Sequence, residues 1–141
     1  MSSAFLHKQV TVSKAKKRAW EAYSIYRRTL WTLAGFVLCY TCDKHLILKG
    51  PAGQRVTVGH WIEGHGNVSF IDDNYNRPQC FYCNIMIGGN QGEFRDRIRK
   101  ELGDKKVDEL ILAAKQTVDR NAQYWLDQAA YYKVKLQELT S

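Results

Sequence analysis

Between positions 13 and 33 apolar side chains return every three or four residues. Ala19, Tyr23, Tyr26, Leu30 and Leu33 fall on one side, which predicts an amphipathic helix. Ser13 or Thr11 stands where an N-cap belongs, and Gly35 closes the run. Two short strands are predicted at residues 36–39 and 45–48 around a tight turn, and Gly50-Pro51-Ala52-Gly53 marks another turn. Residues 55–62 alternate as a strand does, residues 63–67 predict a turn, and Val68-Ser69-Phe70 is expected to be the returning strand. Residues 72–78 are polar and predict a loop. A short helix is expected to begin near Cys80 and to break at Gly88-Gly89. From Gln91 the pattern is helical almost to the end, interrupted at Gly103-Asp104.

Within that last stretch Val118, Ala122, Trp125, Ala129, Tyr132, Leu136 and Leu139 alternate spacings of four and three, a seam suited to pairing with another helix. The partner is either the chain's own first helix, through Ala19, Tyr23, Tyr26 and Leu30, or a second subunit. Leaving Trp125 and Tyr132 in water is unfavourable, so the expectation is a homodimer. The fold class expected is α+β in one compact unit. Residues 1–35 form a basic helical segment, residues 36–91 the core and residues 92–141 a helical region.

A length of 141 residues allows a modest core. No run of 18 apolar residues exists, so no membrane span is expected. The start, Met1-Ser2-Ser3-Ala4-Phe5-Leu6-His7-Lys8, lacks the apolar stretch of a signal peptide, and the expected compartment is the cytoplasm. The net charge of +7 is uneven: residues 1–42 carry seven Lys/Arg against one Glu. That excess centres on Lys14, Lys16, Lys17, Arg18, Arg27 and Arg28, a basic face that would attract a polyanion by counterion release. A solvated basic helix with no partner is the plain alternative, and charge alone does not choose among DNA, RNA and an anionic membrane.

Chemistry enters with the cysteines. All four fall in CxxC pairs, Cys39-Tyr40-Thr41-Cys42 and Cys80-Phe81-Tyr82-Cys83. Two residues between thiolates let a tight turn aim both at one ion, and two such knuckles complete the tetrahedral set that Zn²⁺ prefers. Four unliganded buried thiols or a redox pair is the other reading. A closed four-thiolate shell has no open position, so its role is structural. Tyr40, Phe81 and Tyr82 are expected to pack the knuckles.

The 37 residues between the knuckles contain His60 on a predicted strand, and Asn84 follows the second knuckle directly. Hydrolysis of a phosphodiester needs a base for the attacking water, and histidine titrates near working pH. It also needs a divalent cation, Mg²⁺ or Mn²⁺, against the charge on the leaving oxygen. Asn84 can offer that ion an amide oxygen, although it can equally cap a helix. Asn74 would support the loop behind His60 through side-chain-to-backbone hydrogen bonds, with Asn76 as the competing choice. Asn90 is either a further ligand or a helix break, and His65 in its glycine turn is a bystander.

A strand histidine followed by Cys-x-x-Cys-Asn resembles the layout of HNH nucleases, whose core is a ββα-metal unit. The wider set is more specific. Lys14-Ala15-Lys16-Lys17-Arg18-Ala19-Trp20-Glu21-Ala22-Tyr23-Ser24 leads to Cys39-x-x-Cys42, Gly59-His60-Trp61, Phe70, Pro78-Gln79-Cys80-x-x-Cys83-Asn84, Gly89-Asn90, Arg95 and Gly103. Across roughly residues 13–139 this order resembles the NinG/Rap recombination endonucleases of bacteriophages, and more distantly recombination endonuclease VII. The resemblance implies a zinc-stabilised ββα-metal (HNH) core flanked by helices. It implies an endonuclease acting on branched recombination DNA such as D-loops and Holliday junctions, in the host cytoplasm if phage-encoded. His60 would be its general base, Asn84 a ligand of the catalytic ion and Asn74 the loop support. Many HNH enzymes carry an acidic metal ligand just before the histidine. Gly59 stands there in this chain, as in the resembled family, so the second ligand is unassigned. The rival class is a non-catalytic zinc-ribbon module that binds DNA, RNA or a protein.

Overall fold

The computed structural model describes residues 10–62 and 66–141, so His65 lies outside the described residues. The chain is mixed helix and small sheets, and it divides into two compact units where one was expected. The first combines the start of the chain, through Arg27, with Val118–Ser141; the second is Arg28–Thr117.

The first unit holds most of helix α1 (Val12–Trp31) and all of the C-terminal helix, α4 (Ala122–Thr140). Thr11, not Ser13, caps α1, its Oγ1 accepting from the Lys14 N–H at 3.1 Å. Ala15, Ala19, Ala22 and Tyr23 are its buried stripe. Helix α4 buries Trp125 and Ala129, and the Tyr132 ring meets Tyr23 edge-on at 4.9 Å and Tyr26 at 5.6 Å. Trp125, Ala129 and Tyr132 of the seam are thus packed within the chain, Tyr132 on the first helix. The helical pattern does not run unbroken into α4 either. Thr117, Val118, Asp119 and Asn121 are weak helix formers, and Asn121 stops the chain by capping α4, accepting the Tyr124 N–H at 2.8 Å.

In the second unit, β1 (Val37–Leu38) pairs antiparallel with β2 (His45–Leu46), and β3 (Thr57–His60) with β4 (Asn76–Gln79). Val68-Ser69-Phe70 is a turn, and the strand returning to β3 comes from the segment expected to be a loop. Polarity disguised it. Asn76 and Gln79 are fully buried, and Pro78 stands opposite Val58. Pro78 has no N–H, so it takes a register position whose backbone faces away from β3. Its carbonyl accepts there from the Tyr40 N–H at 2.8 Å. After β4 the chain makes one π-helical turn (Tyr82–Met86), breaks at Gly88 and Gly89, both at positive φ, and enters α2 (Gln91–Leu102). Gly103, at φ 85°, turns it into α3 (Asp104–Ala114).

The core of this unit is Trp61, Tyr75, Phe94, Ile98, Val107 and Leu110. Its two polar aromatics are satisfied: Trp61 Nε1 donates to the Asn74 carbonyl and the Tyr75 hydroxyl to the Leu110 carbonyl, each at 2.9 Å. No helix among the described residues is long and apolar enough to cross a membrane.

Candidate metal centre and the strand beside it

The turn after β1 carries the first knuckle. Asp43 takes positive φ, 65°, so that its N–H reaches the Cys39 carbonyl at 2.9 Å while the Cys39 N–H reaches Lys44 O at 2.7 Å. The second knuckle opens the π-helical turn, with the Asn84 N–H on the Cys80 carbonyl at 3.0 Å. The four sulfurs of Cys39, Cys42, Cys80 and Cys83 lie within 4.8 Å of one another, and Cys42 Sγ is 3.8 Å from Cys80 Sγ. A tetrahedron with Zn–S of about 2.3 Å has S···S edges of about 3.8 Å.

The surroundings suit thiolates. Backbone N–H groups of Cys80 and Cys83 donate to Cys39 Sγ and Cys80 Sγ, each at 3.3 Å, and Asn90 Nδ2 donates to Cys83 Sγ at 3.7 Å. Burial pushes the Cys39 thiol up, but hydrogen bonds from Thr41 and Cys80 outweigh it and bring it down to about 7. Burial pushes Cys80 up and Cys42 up to about 12, so without a cation Cys39 is the first of these three to ionise. The four-cysteine cluster fits a structural zinc ion. Asn90, in left-handed conformation at the start of α2, is more than a helix break: its amide nitrogen supports a thiolate.

The edge of β3 away from β4 connects the knuckles to His60. His60 and Val58 pair with Asn76 and Pro78, positions whose carbonyls face outward from the ribbon. Asn84 Nδ2 caps Val58 O at 3.3 Å and Thr57 Oγ1 at 3.0 Å; Gln91 Nε2 caps His60 O at 3.0 Å. Val58 O can only accept, and Thr57 Oγ1 already donates to Gln79 O at 2.7 Å. The Asn84 amide is thus held nitrogen-inward, and its oxygen has no hydrogen-bond partner among the described residues. On His60, Nε2 faces the Phe70 carbonyl at 2.9 Å, with the ring parallel to that of Phe70. A carbonyl only accepts, so Nε2 carries the proton and Nδ1 of the neutral ring carries the lone pair.

Gly59 has a physical reason. A Cβ there would stand 1.9 Å from Gln79 Oε1. Gln79 is fully buried, and its Nε2 bonds Thr41 Oγ1 at 3.0 Å and Gly89 O at 2.8 Å. The side chain that ties the first knuckle to the turn before α2 therefore fills the place where an acidic ligand would project.

Other expectations shift. The side-chain-to-backbone bond of the loop belongs to Asn76, buried opposite His60 with Nδ2 on Asp72 O at 2.9 Å. Asn74 is exposed and bonds through its backbone: its N–H to Asp72 Oδ1 and its carbonyl to Trp61. Tyr40 packs on Phe94 at 5.4 Å, while Phe81 is about one-third exposed and Tyr82 more than half exposed. Of the basic set, Lys14, Lys17 and Arg18 are exposed. Lys16 lies over the Trp125 ring at 5.4 Å, and burial lowers its pKa. Arg27 is buried, and Arg28 is half-buried, its pKa lowered by burial and by Arg55. The sequence reading missed Gln79 and Gln91, because glutamine carries no signal of burial.

Comparison with protein-family models, curated proteins and solved structures finds no match to this chain.

Proposed function

We propose that the chain is a divalent-metal-dependent endonuclease of HNH type whose four-cysteine site holds a structural zinc. The observation that carries this reading is the Asn84 amide, directly after the second knuckle. It is clamped by its nitrogen to β3, two residues from His60, with its oxygen unused. His60 Nδ1 takes the proton of the attacking water as the new P–O bond forms and the bond to the leaving oxygen breaks. A Mg²⁺ or Mn²⁺ ion on the Asn84 oxygen would supply charge stabilisation for the leaving group. Asn76 holds the register opposite His60. Lys14, Lys17 and Arg18 are the phosphate contacts of α1 that remain exposed. The order of motifs supports branched recombination DNA, D-loops and four-way junctions, as the substrate.

One observation favours the non-catalytic zinc-ribbon reading. Gln79 closes the position before His60, so no acidic side chain projects there. Incubation of zinc-loaded protein with a labelled four-way junction and a linear duplex of the same sequence, with Mg²⁺ or Mn²⁺, separates the readings. Cuts near the branch are expected. Tight binding without cuts establishes the binding module.

A further inference from the structure

A cleft of about 410 Å³ opens between the end of β3 and the α2–α3 pair. Trp61, Ile62, Ile111 and Ala114 form its apolar wall, and Arg95 and Lys115 its charged lining. Among the described residues no carboxylate lines it. Helix α2 carries three arginines: Arg97 is paired with Asp43 and Glu93, and Arg99 with Asp104 and Asp108. Arg95 and Lys115 make no ion pair with any described residue. A second cleft shows the contrast, since Asp43 and Glu101 offset Arg97 and Lys100 in its wall. Position also matters. Arg95 is four residues beyond Gln91, whose amide holds the His60 carbonyl at 3.0 Å, so it stands one helical turn, about 6 Å, further along α2.

We infer that this cleft binds one unstacked nucleotide of a DNA strand, with the base against Ile62, Ile111 and Ala114 and the flanking phosphates on Arg95 and Lys115. An apolar wall with two uncompensated cations suits a ligand that is flat and apolar on its faces and anionic at its edge. Unpaired strand at a branch presents that chemistry, whereas a duplex hides its base faces. The inference rests on the nuclease reading for the identity of the strand.

The test is fluorescence anisotropy with a labelled twelve-nucleotide oligothymidylate and its duplex, without added divalent metal. Arg95→Gln and Lys115→Gln should each lower the slope of log K against log[salt] for the single strand by about 0.7. Ala114→Trp, which fills the cleft, should weaken single-strand binding about tenfold and leave that slope unchanged. An oligonucleotide carrying abasic positions should lose about as much on the wild-type protein, a control independent of how Ala114→Trp folds. Unchanged slopes in both charge variants, or equal affinity for intact and abasic strands, overturns the inference. Binding with these signatures in a protein that never cuts keeps the cleft and removes the nuclease. Cutting by a protein whose binding ignores all three changes does the reverse.

Discussion

Around Cys39, Cys80 and Cys83 the only other buried side chains of the cluster are Leu46 and Val56, with Trp31 and Val37 packed against them. Around Phe94 five further side chains are buried, two of them hydrogen-bonded aromatics. Each fully buried apolar side chain of the second group contributes about 1.5–3 kcal/mol, enough to hold α2 and α3 on the loop between β3 and β4. The first group has thiols where a core has aliphatic chains. The candidate catalytic residues are on its side: Asn84 follows its second knuckle, and His60 ends the strand that Asn84 caps. The part of this unit that holds the candidate chemistry is thus the part with less apolar burial, and a zinc ion on its four cysteines would close the gap.

Removing the metal should have the largest effect. Structural zinc in small modules contributes roughly 10–16 kcal/mol to folding. Chelation under reducing conditions, or Cys39→Ser, is expected to abolish hydrogen-exchange protection in β1 to β4 while α4 stays helical by circular dichroism. Retained protection at the inward-facing amides of Gly59 and Trp61 in zinc-free protein would break the comparison. Next, Phe94→Ala should destabilise the unit by about 3–5 kcal/mol in denaturant titration while one zinc per chain is retained. Loss of zinc in that variant would show that the two clusters are one.

Gly59→Ala forces its methyl onto Gln79 Oε1 and should cost about 1–3 kcal/mol. Its effect should shrink in a Gln79→Ala background, and the double-mutant cycle measures that coupling. The smallest effect concerns the bridge between the regions. Arg77 of β4 pairs with Glu101 of α2 at 2.7 Å, and the Tyr40 hydroxyl donates to Glu101 at 2.8 Å. Arg77, against some burial, holds the Glu101 carboxyl below its usual range, while burial and Glu101 push the Tyr40 hydroxyl up to about 12. A depressed carboxyl adds stability that is full above its unfolded pKa and is lost as pH falls through the folded one. Half-exposed, the pair contributes at most about 1 kcal/mol. Glu101→Gln should therefore lower stability at neutral pH by no more than that amount, have almost no effect in acid where the carboxyl is protonated, and so flatten the acid limb slightly.

What could be anticipated from sequence follows chemistry that is local. Paired CxxC spacing fixed the metal frame, because thiolate geometry is set within each turn. The first helix and the break at Gly103 were legible from period and glycine. Strand β4 was not, since Asn76, Pro78 and Gln79 are buried for hydrogen bonding and register, with no apolar alternation to betray them. The seam of α4 was legible as a seam but not as to its partner, which Tyr23 and Tyr26 supply. The strand position of His60 and the place of Asn84 directly after the second knuckle could be read in advance. The Gln79 side chain that makes Gly59 obligatory could not, because the contact exists only once the strands pair.

The central claim is that His60 acts as a base on a zinc-supported strand. Single-turnover cleavage of a four-way junction by His60→Ala should be about 10²–10⁴-fold slower than wild type, with equal zinc content and equal affinity for the junction. Cleavage at the wild-type rate would contradict the account and leave His60 as a structural partner of Phe70.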